Sequence, residues 1–179
     1  MKNLIFSAIA AITIPFAAHA DFYNAQSGNW VVYGAEGGEG QNPACVVERM
    51  WDDGSEFQLT YDLMSDELYI WLVNRQWAIL QPMDRPETLY MQAVGSNPTD
   101  GNLTYYAVTS NTIVVPDIEP RTFLEAFASQ SELQIYMPYG LQNAFIDLNG
   151  TRLATNLFAE CIEIGQYYDP ITGELHYYD

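Results

Sequence analysis

Residues 44–73 read ACVVERMWDDGSEFQLTYDLMSDELYIWLV, and the fold is set by how this stretch is punctuated. Three runs rich in Val, Tyr, Phe, Leu and Ile (44–50, 56–63 and 68–73) are separated by Asp52-Asp53-Gly54-Ser55 and by Met64-Ser65-Asp66. Asp, Gly and Ser favour tight turns, so the pattern predicts an antiparallel meander. Phe57, Leu59, Tyr61 and Leu63 alternate with Gln58, Thr60 and Asp62. That period of two is the mark of a strand with one face buried and one face wet.

Working outward, residues 88–94, 103–108 and 112–115 extend the sheet, with 95–101 as a polar turn, and 34–43 reads as a Gly- and acid-rich loop. Residues 132–137 and 141–148 read as a final hairpin. Two helices are predicted. Pro120 suits the first helical position, and Phe123, Leu124, Phe127 and Ala128 then recur at helical spacing. Phe123 and Phe127 are expected to pack on the sheet. The second helix opens near Asn149-Gly150-Thr151, with Asn149 or Thr151 as cap, and carries Leu153, Ala154, Leu157, Phe158 and Cys161 on one face. Without a β-α-β rhythm, these elements predict an α+β domain: an antiparallel sheet, meander and sandwich-like, with two helices near the C-terminal half packed on it.

The first 20 residues read as a cleaved signal peptide: a positive start at Lys2, an apolar run from Leu4 to Ala18, and a small-x-small site at Ala18-His19-Ala20. The run is shorter than the roughly 20 residues needed to span a bilayer, and no later run is longer, so a membrane-spanning chain is not expected. The expected organisation is a signal peptide (1–20), one α+β domain (21–163) and an acidic, tyrosine-rich tail (164–179). The tail repeats Tyr-Tyr-Asp at both ends around Pro170 and Gly173, which suggests a small hairpin or an arm. Localisation is expected to be periplasmic or secreted.

Beyond residue 20 there are five Arg against 23 Asp and Glu, a formal charge of −18, with no Lys and one His, His176. Such a chain lacks the cations that neutralise phosphates, so nucleic acid is excluded as a partner. It also lacks the groups that titrate near neutrality in most catalytic constellations. No Walker loop, GxSxG or HExxH motif occurs. No cofactor is implied. Cys45 and Cys161 are the only cysteines; in an exported chain they read as a disulfide, worth roughly 4–5 kcal/mol on chain-entropy grounds.

Two readings of function survive. The surplus of aromatics on predicted strands exceeds what one core face can hold, which points to a binding surface formed by Trp51, Tyr69, Trp71, Trp77, Tyr105 and Tyr106. Its partner would be a basic or aromatic-binding protein or a glycan. This makes the chain an exported acidic non-catalytic interaction protein. The alternative is an exported carboxylate-dependent hydrolase, glycosidase-like, in which acids clustered at turns (Asp52, Asp53 and Glu56, or Asp62, Asp66 and Glu67) supply a catalytic pair or oxygen ligands for a metal. Turn chemistry alone also explains those acids.

The order of parts carries a resemblance. Trp30 on the first strand, Cys45 on the second, the Asn74–Trp77 hairpin, Phe123-Leu124, Leu148-Asn149-Gly150-Thr151, Ala154 and the closing Cys161 resemble a group of small secreted alphaproteobacterial proteins. That group is distantly similar to the invasion-associated locus B family. The resemblance implies a periplasmic or secreted α+β domain, suggests host-cell interaction, and brings no catalytic residues with it. The tail after Cys161 lies outside the pattern.

Overall fold

The structure, a computed structural model, describes residues 21–37, 42–79, 85–95, 99–169 and 174–175. The expected signal peptide and most of the tail, His176 included, lie outside the described residues.

Ten strands form one antiparallel ladder: β1 (Asp21–Ser27), β2 (Trp30–Ala35), β3 (Ala44–Met50), β4 (Glu56–Asp62), β5 (Glu67–Val73), β6 (Glu87–Val94), β7 (Thr99–Thr109), β8 (Thr112–Ile118), β9 (Glu132–Tyr136) and β10 (Ala144–Asp147). Their order is β1-β2-β3-β4-β5-β8-β7-β6-β9-β10. The meander read from residues 44–73 is present, and the fold is α+β as expected. β7 is the pivot. Its Tyr106–Thr109 half pairs with β8 while its Thr99–Tyr105 half pairs with β6, so one strand of 11 residues serves both halves of the sheet. The ladder folds over so that its β10 end approaches β3: Arg49 of β3 donates from Nη1 to the carbonyl of Asp147 in β10, 2.8 Å away.

Among the described residues the two helices are α1 (Pro120–Ser129) and α2 (Thr151–Gly165). Glu119 caps α1 by accepting from the backbone N–H of Arg121 and Thr122, and Pro120 follows at the first helical position. α2 packs against β1, β2, β3 and α1. The cap expected from Asn149 or Thr151 is not made. Gly150 occupies the N-cap position at φ +88°, a left-handed conformation that suits glycine, and has no side chain with which to cap. Thr151 instead donates its hydroxyl to the carbonyls of Phe127 and Leu148, tying α2 to α1. α2 also continues to Gly165, two residues past the expected end of the domain, and seats that glycine near the Leu63 side chain. Beyond it, Tyr168–Asp169 (β11) pairs with Glu174–Leu175 (β12), a small antiparallel pair within the tail.

The core is the inner face of the folded sheet. Trp30 and Phe127 rings meet edge to face with centroids 5.1 Å apart, and Phe57 stacks on Phe127 at 5.7 Å. All three are 0–1% exposed. The Trp30 indole N–H donates to the carbonyl of Asn149, 3.0 Å away, so the buried ring keeps its polar atom satisfied. Cys45 and Cys161 form a disulfide across 116 residues, joining the inner side of β3 to α2. Phe127 packs as the helical spacing predicts. Phe123 is only partly buried and stacks beside it, with centroids 6.1 Å apart.

Candidate functional site

Alternate residues of β2, β3, β4, β5, β8 and β7 point away from the core, and the strand register sets them in rows. One row runs Val31, Glu48, Gln58, Trp71, Val114 and Tyr106 across six strands. A second runs Tyr33, Val46, Thr60 and Tyr69. Both helices follow the inner face, with the buried Phe127, Ala154, Phe158 and Cys161, so neither covers these rows. Except for buried Val46, the residues of the two rows are half-buried, each sheltered by its neighbours on a densely packed outer face.

Charge on this face is one-sided. Tyr33 donates its hydroxyl to Glu48 at 3.1 Å, and Tyr69 donates to Glu67. Burial raises the Glu48 carboxyl above the usual carboxylate range, with the Tyr33 hydrogen bond pulling the other way. Burial also raises Glu56, and the charge of Glu48 adds to it. Arg49, next in sequence to Glu48, points inward instead, with its guanidinium over the rings of Trp30 and Trp51 at 5.7 and 5.2 Å and an ion pair to Asp147 at 3.7 Å. Neither Glu48 nor Glu56 forms an ion pair among the described residues.

The aromatic surface expected from the sequence is split by the fold into three places. Tyr69, Trp71 and Tyr106 come together on the outer face, with Val114 between the last two. Trp77 and Tyr105 are not on the outer face: they are 4% and 1% exposed, and Trp77 reaches only the floor of the cleft that holds Trp51. Tyr105 has the inward parity of β7, and Trp77 turns under the sheet end after the Asn74 turn, donating its indole N–H to the Gln142 carbonyl at 2.7 Å. Trp51 sits apart, half-buried under Arg49, in a cleft of about 460 Å³ that also receives Asp52, Asp53, Glu56, Gln142 and Phe145.

Of the acids singled out in the sequence, Asp53 accepts from the Ser55 N–H, a turn-forming bond. Asp62 accepts from the N–H of Met64 and Ser65 and from Asn42. Burial pushes Asp62 upward, but those hydrogen bonds outweigh it and hold the carboxyl below its ordinary range. Among the described residues no group of three His, Cys, Asp or Glu side chains is placed to hold a metal ion. Nor is any helix there long and apolar enough to cross a membrane. Reading by residue type missed Tyr33, Glu48 and Val114 as members of the outer face. Their signal was register: each lies opposite an outward residue of a neighbouring strand.

The fold and its staple define a class: an antiparallel sheet folded on itself, closed by two helices and tethered by one disulfide between an early strand and the last helix. No protein-family model matches the chain, and no curated protein matches it. A solved structure does. The crystal structure of invasion associated protein B from Bartonella henselae aligns with 79% of this chain and 99% of its own, at a TM-score of 0.51 and 15% sequence identity. At that identity the likeness is one of fold, and it agrees with the resemblance carried by Trp30, Cys45 and Cys161.

Proposed function

We propose that the protein is an exported, non-catalytic interaction protein of the bacterial periplasm or exterior, and that its outer sheet face docks a basic protein partner. The observation that carries this reading is Glu48, half-buried beside Tyr33 and Gln58, together with half-buried Glu56, whose carboxyl feels the Glu48 charge; neither has an ion-pair partner among the described residues. A buried carboxylate without a counter-charge costs stability, and an incoming Arg or Lys offsets that cost. Trp71, Tyr69 and Tyr106 supply the flat aromatic area on which a guanidinium stacks. The signal-peptide reading and the disulfide support export.

The test is capture from the source organism's envelope extract on immobilised mature protein, comparing the wild type with Trp71→Ala, Glu48→Gln and the control Glu163→Gln on the exposed side of α2. A basic partner retained by the wild type and the control but lost at least tenfold on both face variants supports the reading. Equal retention by all four overturns it.

One observation favours a second reading: Asp52, Asp53 and Glu56 line a single cleft beside Trp51. If that cleft hydrolyses glycans, turnover of a polysaccharide panel should vanish in Glu56→Gln and persist in Trp71→Ala.

A further inference from the structure

A separate chamber lies on the inner side, where α1 crosses β6, β7 and β9. It is a half-open hollow of about 300 Å³, walled by Met91, Leu103 and Leu133 from the strands and by Phe123 and Phe127 from the helix. At roughly 30 Å³ per water-sized atom, that is room for about ten non-hydrogen atoms. It sits at the lower end of ligand pockets, which run from roughly 300 to 1,000 Å³.

The void is created at one position. Gly101 is paired with Met91 and so faces inward, where its neighbours carry large apolar side chains. A Cβ added there would meet nothing within 4 Å, and the backbone is not in the left-handed region. Neither crowding nor conformation calls for glycine at this site. At Gly95, by contrast, a Cβ would lie 2.1 Å from the Gln130 side chain. Residue 101 therefore keeps the chamber open by lacking a side chain. Protein interiors close such gaps unless something keeps them.

The mouth is acidic. Asp117 and Glu119 line it, and among the described residues no Arg does. Asp100, next to inward-facing Gly101, turns its carboxylate to the opposite face of β7, where it accepts from the Tyr90 hydroxyl, whereas the Asp117 carboxylate makes no hydrogen bond or ion pair among the described residues. Asp117 is held at φ +57°, a left-handed conformation that a non-glycine residue adopts at some cost. The cation nearest in sequence, Arg121, reaches the other way, to Glu125 at 3.1 Å. Hydrogen bonds from Thr122 and Arg121 hold the Glu119 carboxyl below its usual range, so it stays ionised at neutral pH.

We infer that this chamber binds a small apolar cation, an alkyl- or arylamine whose hydrocarbon body fills the space over Gly101 and whose ammonium sits at the Asp117–Glu119 mouth. The apolar wall supplies burial, and the carboxylates choose the sign of the head group. This site is independent of the outer face, and either can fail alone.

The experiment titrates the intact, disulfide-bonded protein at pH 7 and low salt with three ligands of matched length: n-octylammonium, n-octanol and octanoate, followed by calorimetry. Saturable one-to-one binding of octylammonium is expected, with octanoate weaker by at least about tenfold, a difference of roughly 1.4 kcal/mol. Gly101→Leu fills the chamber and should abolish octylammonium binding while leaving the thermal midpoint unchanged or raised. Should that variant unfold, Asp117→Asn, at an exposed position, should cut the preference for the cation at an unchanged midpoint. Equal affinity for the three ligands, no binding at millimolar concentration, or octylammonium binding that survives the folded Gly101→Leu variant would each overturn the inference.

Discussion

Tyr105 and Tyr106 are neighbours on β7 with opposite fates. Tyr105 is 1% exposed, and its hydroxyl finds no hydrogen-bond partner among the described residues, whereas Tyr106 stands on the outer face opposite Val114. The same contrast divides the whole sheet. On the inner face Trp30, Phe57 and Phe127 exclude water and are locked ring against ring; on the outer face Trp71, Tyr69 and Tyr106 are interleaved with Glu48 and Gln58. Aromatic content is shared between the faces, and what differs is carboxylate content. The inner face is built for stability, and the outer face carries acids that stability alone would not select.

The comparison can be broken at several points. Reducing the disulfide, or replacing Cys45 and Cys161 together by Ala, releases α2 from β3 and should cost about 4–5 kcal/mol by loop entropy, read by denaturant unfolding. A loss below about 1 kcal/mol would mean that the inner face holds α2 without its staple. Phe127→Ala should cost about 3–5 kcal/mol, since it empties the centre of the Trp30–Phe57 cluster. Phe123→Ala, at the chamber wall, should cost about half as much. Equal costs would place both rings in one continuous core, as helical spacing alone suggests.

Tyr105→Phe removes an unpartnered buried hydroxyl and should stabilise the fold by about 1 kcal/mol, while Tyr106→Phe leaves the midpoint unchanged. Thermal unfolding of the two variants side by side is the measurement; destabilisation by Tyr105→Phe would show that the hydroxyl has a partner after all.

The smallest effect concerns pH. Glu48 has a folded-state pKa above its unfolded value, so the folded state binds the proton more tightly. Its stabilising contribution is complete below the ordinary carboxylate pKa, about 4, and is lost as pH rises through the higher folded value. Glu48→Gln keeps an acceptor for Tyr33 and should therefore raise stability at pH 7 by about 0.5 kcal/mol and do nothing below about pH 4. Asp62, whose pKa is lowered, should behave in the opposite sense: Asp62→Ala destabilises at pH 7, and the loss fades as acid protonates the wild-type carboxylate. Parallel pH curves for the two variants would dissolve the distinction between a turn acid and a face acid.

Much of this was legible in the chain itself. The bounds of β3 and the start of α1 coincide with what was read from the sequence, because Asp-Gly turns and Pro120 are local signals that act over a few residues. The Cys45–Cys161 pair follows from there being no other cysteine. The α2 cap was misread because Thr151 satisfies carbonyls of α1 instead of its own helix, a choice that depends on where α1 lies. The turn expected over 95–101 gives way to β7 from Thr99 onward, so Gly101 lies within a strand and lines a chamber.

Composition and period determined that this would be an acidic, antiparallel α+β domain with more aromatic residues than one core can hold. Only the tertiary structure decided which of them the core takes. Alternation says that Tyr105 and Tyr106 face opposite ways, but it cannot say which way is in. That choice is made when the helices settle on one face and the ladder folds over it, and both depend on contacts between residues far apart in the chain, such as Thr151 with Phe127 and Arg49 with Asp147.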